Sequence, residues 1–299
     1  MNTVVSEEVK SKTIAKIPKN SITNFYDFQG IILKIRYESS IIKSLIHPKI
    51  AHQSCGESAH SAVTFDMFKT NSNLHLFKNN NHVGTYATSN YHFLQGQFAL
   101  ELSNSIHNKC INDWIATFHA STVNNGEESI MIVGNSGNGK STLAALLMAN
   151  GFDLLSDDFT PLYKDLNLYS YPAAISIKKG AFKALDSYIR NFKDLETKVN
   201  SQKNINVKYV APTSDLNESK AFLPCNKIVL VKYDALKPSK LESIALDKIL
   251  ETLIPESWIS PKEDHANLFM TWLKNIECYQ LNYSDNTYAI DKFTMLFDQ

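Results

Sequence analysis

The chain has 299 residues, 43% of them hydrophobic and 20% charged, with 30 basic side chains balanced by 30 acidic ones. This is the composition of an ordinary globule, and a formal net charge of zero excludes a bulk electrostatic pull toward nucleic acid or a membrane surface. No apolar run approaches the roughly 20 residues that cross a bilayer. The N-terminus lacks a signal-peptide core, and the four scattered cysteines read as reduced core residues, so a cytoplasmic protein is expected.

In chain order, residues 1–20 are polar and read as a flexible N-terminus. Residues 21–110 read as a β-rich N-terminal domain with a meander-like pattern. Apolar alternations recur at Ile31–Ile35, Val63–Met67 and Leu74–Phe77. Lys78–His82 reads as a hairpin connection, because Asn tolerates left-handed turn geometry. Phe93–Asn108 has helical spacing, and the helix is expected to continue through Ile111–Thr117. Phe118–Val123 and Ser129–Val133 flank the polar turn Asn124–Glu128 and read as a hairpin.

Next comes Gly134-Asn135-Ser136-Gly137-Asn138-Gly139-Lys140-Ser141-Thr142, which fills every position of the phosphate-binding pattern G-x-x-x-x-G-K-[ST]. Only 10 glycines occur in the chain, yet three fall inside six positions here. A chance match in a chain of this length is on the order of one in a hundred. The context also fits, since a short buried strand at Ile130–Val133 enters the loop and a Leu/Ala-rich helix at Thr142–Asn150 leaves it. Glycines let successive N–H groups converge on a phosphate, and the helix N-terminus adds free donors and a positive dipole end. Lys140 would reach the β/γ phosphates and Ser141 would ligate Mg²⁺.

Beyond the loop helix, Gly151 reads as its C-cap and Phe152–Ser156 as a second strand, ending in Asp157-Asp158. Such a strand returns beside the loop and brings carboxylates to the phosphate site. One carboxylate can hold Mg²⁺ and the other can take the proton of an attacking hydroxyl. Lys193–Lys220 reads as a surface excursion, a lid or a partner contact. Lys227–Lys232 and Cys278–Tyr283 read as strands. Leu246–Leu253, Asp264–Asn275 and Thr287–Phe297 read as helices, with Trp258 and Trp272 in the core. Asp264 and His265 have no partner at ligand spacing, so a metal site there is discounted.

On three stretches the chain resembles the HPr kinase/phosphorylase family, in its divergent HPr-kinase-related branch. They are His119, the loop Gly134–Ser141, and Leu154-Leu155-Ser156-Asp157-Asp158. The likeness covers roughly residues 111–299. It implies an α/β fold, namely a P-loop HPr-kinase-like (PEP-carboxykinase-like) domain at 111–299 behind the smaller β-rich domain. It also implies Asp157 as proton acceptor from a serine hydroxyl, with Lys140 and His119 assisting. The family's Glu-x-Arg-Gly-x-Gly signature is absent: its neighbourhood reads Ile177-Lys178-Lys179-Gly180-Ala181-Phe182. Asp158 is therefore taken as the second metal residue beside Ser141, and HPr is not the expected substrate.

The expected function is an ATP-dependent serine kinase, using ATP and Mg²⁺, that acts on a peptide, protein or small molecule. The alternative is an ATP-binding scaffold or sensor without phosphotransfer. No L-S-G-G-Q signature marks an ABC-type ATPase, and Asn226-Lys227 is followed by Ile228-Val229 rather than a guanine-reading motif. A homo-oligomer is compatible with this composition.

Overall fold

The computed structural model describes residues 20–200, 204–213 and 220–299, so all but Asn20 of the expected flexible N-terminus lies outside the described residues. The first part of the chain builds strands β1 (Ile22–Phe28), β2 (Ile31–Tyr37), β3 (Ser54–Cys55), β4 (Val63–Thr70), β5 (Asn73–Lys78) and β6 (Asn81–Ala87). They form a six-stranded sheet in the order β3-β1-β2-β4-β5-β6. The β5–β6 turn places Asn79 and Asn80 at φ 50° and 64°, the left-handed pair that a two-residue hairpin demands.

The sheet departs from the expected meander at two points: β3 lies on the outer edge beside β1, and β4 rather than β3 follows β2 in the sheet. β2 and β4 run parallel, which requires a crossover. Helix α1 (Ser40–Ile50) supplies it, with Ser39 accepting a hydrogen bond from Ile42 N as its cap. Its isoleucines and Pro48 disguise it in the sequence. Its buried residues Ile42, Leu45, Ile46 and Ile50 nevertheless follow helical spacing. Helix α2 (Tyr91–Ile106) covers the same core with Leu94, Phe98 and Leu102.

The second part contains β7 (Trp114–Phe118), β8 (Ser121–Asn124), β9 (Ser129–Val133), α3 (Lys140–Met148), β10 (Asp153–Ser156), β11 (Thr160–Tyr163) and β12 (Asn167–Tyr169). It continues through β13 (Ile175–Lys178), α4 (Phe182–Leu185), β14 (Lys198–Asn200), β15 (Ile205–Val210) and β16 (Phe222–Tyr233). It ends with β17 (Lys240–Ser243), α5 (Leu246–Leu253), β18 (Ser257–Ile259), α6 (Glu263–Leu273), β19 (Glu277–Tyr283) and α7 (Asn286–Phe297). The fold is mixed α/β, with a ten-stranded sheet running β10-β8-β9-β16-β12-β11-β7-β18 and β19 and β17 branching from β16.

β9, β16 and β19 are parallel, and β10 points the same way with antiparallel β8 between it and β9. All four C-terminal ends therefore lie on one edge. β9 is buried on both faces. Ile130 and Ile132 pack toward α3 and α7, whereas Met131 and Val133 pack toward α5 and α6. An unbroken apolar run is what such a central strand requires.

Several expectations are corrected. Trp114–Phe118 is strand β7 rather than a continuation of helix, held between β11 and β18 by aromatic and β-branched side chains that suit a pleated surface. Trp258 lies on strand β18, half-buried, while Trp272 is in the core on α6. Cys225 and Cys278 are buried, but Cys55 and Cys110 are exposed, and all four are free. Within Lys193–Lys220 the described residues include β14 and β15, which pair with β13, and a buried Lys208 whose Nζ donates to the Phe192 and Lys193 carbonyls. Residues 201–203 and 214–219 of that span lie outside the described residues. Among the described residues no helix is long and apolar enough to cross a membrane.

Candidate functional site

The glycine-rich loop spans the gap between the C-terminal end of β9 and the first turn of α3. Two of its glycines are demanded by space as well as by backbone. Gly139 has φ 96°, and a Cβ there would sit 2.9 Å from the hydroxyl of Tyr283. At Gly134 (φ 155°) a Cβ would meet the carbonyl of Val231 at 2.8 Å. The loop is thus pressed against the ends of β16 and β19. Tyr233 N donates to the carbonyl of Asn138 at 3.1 Å, and Asn138 N donates to that of Asn135 at 3.1 Å. Asn135, Ser136 and Gly137 are exposed, Asn138, Gly139, Ser141 and Thr142 are half-buried, and Lys140 is buried.

Lys140 is the first residue of α3, and its Nζ donates to the carbonyl of Gly134 at 2.5 Å. The ammonium therefore lies folded over the loop. Burial lowers its pKa, against the pull of Asp158, Glu256 and Asp157. The opening N–H groups of a helix lack intrahelical partners, so this concave loop presents donors and a positive dipole end.

Asp157 follows the end of β10 and is buried. Its Oδ1 accepts from Ser121 Oγ at 2.5 Å and from Ser141 Oγ at 3.0 Å. Ser121 opens β8, the strand inserted between β9 and β10, which is why it reaches Asp157. The other oxygen, Oδ2, is buried and has no hydrogen-bond partner among the described residues. Burial and the negative charge of Asp158 push the Asp157 carboxyl up to about 7. A buried carboxylate in this condition needs a proton or a cation.

Asp158 turns the other way because its φ is 63°, a left-handed value that Asp tolerates better than most residues. Its Oδ2 accepts from Lys49 Nζ at 2.7 Å, and its Oδ1 lies 3.7 Å from His119 Nε2. Burial disfavours its charge, but Lys49 and His119 outweigh this and hold the carboxyl well below the usual range. His119 sits in the turn between β7 and β8, its N donating to the carbonyl of Glu256 at 3.1 Å. Burial lowers its pKa, with Asp158 acting in the opposite sense.

Lys140, Ser141, Asp157, Asp158 and His119 therefore converge on one edge of the sheet. The sequence reading missed Ser121 and Lys49. Serine at a strand start gives no signal of its own, and Lys49 precedes Asp158 by 109 residues. A cavity of about 260 Å³ opens on another side of the loop, against Asn135, Asn138, Lys232, Thr252 and Gln280. Neither aspartate borders it.

Ser141 and Asp157 place a hydroxyl and an unpartnered carboxylate oxygen together, a donor set suited to a hard cation such as Mg²⁺. Among the described residues no group of three or more His, Cys, Asp or Glu side chains could hold a metal unaided. Mg²⁺ commonly takes only one or two protein ligands and completes its shell with water and phosphate oxygens. Lys178 and Lys179 at the end of β13 are exposed and offer no carboxylate.

Among solved structures, the chain is similar to the HPr(Ser) kinase/phosphatase from Coxiella burnetii. That match has 13% identity and a TM-score of 0.24, and it covers 61% of this chain and 94% of that chain. No protein-family model and no curated protein matches the sequence.

Proposed function

We propose that this chain is an ATP-dependent kinase of P-loop, HPr-kinase-like type that transfers a γ-phosphoryl group to a serine-type hydroxyl. The acceptor is a peptide, protein or small molecule. The observation that carries the reading is Asp157, held between Ser121 and Ser141 at the N-terminus of α3 with one buried oxygen left unpartnered among the described residues. The loop Gly134–Thr142 would cradle the phosphates with its N–H groups, and Lys140 would leave the Gly134 carbonyl to meet the β/γ oxygens. Mg²⁺, held by Ser141 and by Asp157 directly or through water, would neutralise phosphate charge.

The hydrogen bonds favour exchanging the roles that the sequence assigned to the two carboxylates. Asp157 adjoins Ser141, so it belongs on the metal side, and a cation there would offset the burial and the Asp158 repulsion that raise its pKa. Asp158 is half-buried beside His119, so it is the group that an acceptor hydroxyl can reach. In the transfer, the hydroxyl oxygen forms a bond to the γ-phosphorus and the bond to the bridging β–γ oxygen breaks. ADP leaves, and the hydroxyl proton passes to the Asp158 carboxylate. Lys140 and His119 stabilise the charge that develops on the transferring group.

The test is incubation with γ-labelled ATP and candidate hydroxyl-bearing peptides. Label should pass to an acceptor with wild type and fail with Lys140→Ala. Nucleotide binding without transfer to any acceptor would favour the scaffold reading instead.

A further inference from the structure

The proposed phosphoryl-transfer site includes a residue from the N-terminal part of the chain. We infer that Lys49 is a positioning residue of that site: its ammonium fixes the carboxylate of Asp158, and helix α1 thereby forms one wall of the transfer site. The inference rests on the reading of the loop and Asp pair given above.

Four observations support it. Lys49 Nζ reaches Asp158 Oδ2 at 2.7 Å, leaving Oδ1 to face His119. The backbone of Lys49 is fixed as well, since Ala174 N donates to its carbonyl at 2.7 Å. Helix α1 is anchored by Ile42, Leu45, Ile46 and Ile50 in a core that also contains Phe159, Tyr171 and Ala173, from the segment that follows the Asp pair. Asp158 has a left-handed backbone, a conformation that persists only when its surroundings impose it.

A purely stabilising role explains this pair less well. Each side chain keeps between a quarter and a third of its surface exposed, and ion pairs at that exposure contribute little to folding. Their value is geometric. With Lys49 on one oxygen, the other is held toward the place where an acceptor hydroxyl must arrive, and orientation of that kind governs rate. The ammonium also offsets part of the crowding between Asp158 and the neighbouring Asp157.

The test compares binding of ADP alone with binding of ADP plus Mg²⁺ and aluminium fluoride, which imitates the planar phosphoryl group in flight with water in the acceptor position. It uses the full chain and titration calorimetry. Wild type should bind the aluminium fluoride complex much more tightly than ADP. Lys49→Met should lose roughly 10-fold of that tightening while its affinity for ADP alone stays unchanged. Lys49→Arg should retain most of it. In an Asp158→Asn background, Lys49→Met should cost nothing more, because the lysine acts through that carboxylate.

Full tightening in Lys49→Met would overturn the inference. So would equal losses for ADP alone, or a loss in Lys49→Arg as large as in Lys49→Met. Should Lys49→Met fail to fold, as judged by its melting curve, Lys49→Gln replaces it. A wild type that binds ADP yet shows no tightening would instead defeat the phosphoryl-transfer reading, and the role of Lys49 would fall with it.

Discussion

Ser141 and Asp157 are joined by a 3.0 Å hydrogen bond from Oγ to Oδ1, tying the first turn of α3 to the end of β10. The same carboxylate oxygen is held by Ser121 on the strand between them, so three elements set the position of one buried acid. Its second oxygen has no hydrogen-bond partner among the described residues, and this makes the acid a cost to the free protein.

Asp157→Asn should therefore stabilise the ligand-free chain at alkaline pH. The folded carboxyl is raised to about 7, above its ordinary value, so the native state holds a proton that the unfolded state has released. The stability this supplies is present in acid and disappears as pH rises through about 7. At pH 8 the substitution should gain on the order of 1–2 kcal/mol by removing an uncompensated charge. Thermal melting of both proteins at pH 5 and pH 8 checks this, and a variant less stable at pH 8 would refute it. On the proposed reading, Mg²⁺ with ATP should protect wild type further, and the same variant should lose that protection.

Lys140→Ala should reduce affinity for Mg²⁺·ATP by at least about 10-fold and transfer by roughly 10²–10³, the usual loss for one preorganised charge contact. Calorimetry reads the first value and label transfer the second. Wild-type affinity in the variant would show that the ammonium folded over Gly134 never meets a phosphate.

Two of the three loop glycines, Gly137 and Gly139, should differ in their response to alanine. Both have left-handed φ values, 93° and 96°. A Cβ at Gly137 meets open space, whereas one at Gly139 meets the buried ring of Tyr283. Gly137→Ala should cost about 1 kcal/mol from backbone strain alone, and Gly139→Ala about 2–3 kcal/mol, because a packed side chain must also move. Urea denaturation of the two variants measures the difference.

His47 should set part of the acid sensitivity. Its Nδ1 lies 2.8 Å from the hydroxyl of Tyr26, and burial, assisted by the charges of Lys43 and Lys198, lowers its pKa to about 4. Between about pH 6.5 and pH 4 the unfolded chain binds a proton that the native chain refuses. Stability from the neutral imidazole is complete above that window and is lost as pH falls through it. His47→Gln should lose less melting temperature than wild type between pH 7 and pH 4.5. Parallel losses would remove His47 from the account.

The phosphate-loop pattern and the Asp pair were legible because each is written in adjacent residues, and the strand–loop–helix context surrounds them in the chain. Strand ends that converge on one sheet edge then bring Ser141 and Asp157 together without further coding. Ser121 and Lys49 were illegible for the opposite reason. Their contacts exist only once β8 lies between β9 and β10, and once α1 packs beside the Asp158 turn. Helix α1 itself was concealed by β-branched isoleucines and Pro48, so its crossover between β2 and β4 passed for part of a meander. At Trp114–Phe118 the apolar run fits either period, and pairing with β11 and β18 decided for strand.

The insertion of Phe159, Tyr171 and Ala173 into the core of the N-terminal sheet has a practical result. A fragment beginning near residue 111 would present the rings of Phe159 and Tyr171 to solvent and forfeit the Lys49 ammonium that pairs with Asp158. Such a truncation should come out prone to self-association, so recombinant work on the 111–299 segment should keep residues 20–110 with it.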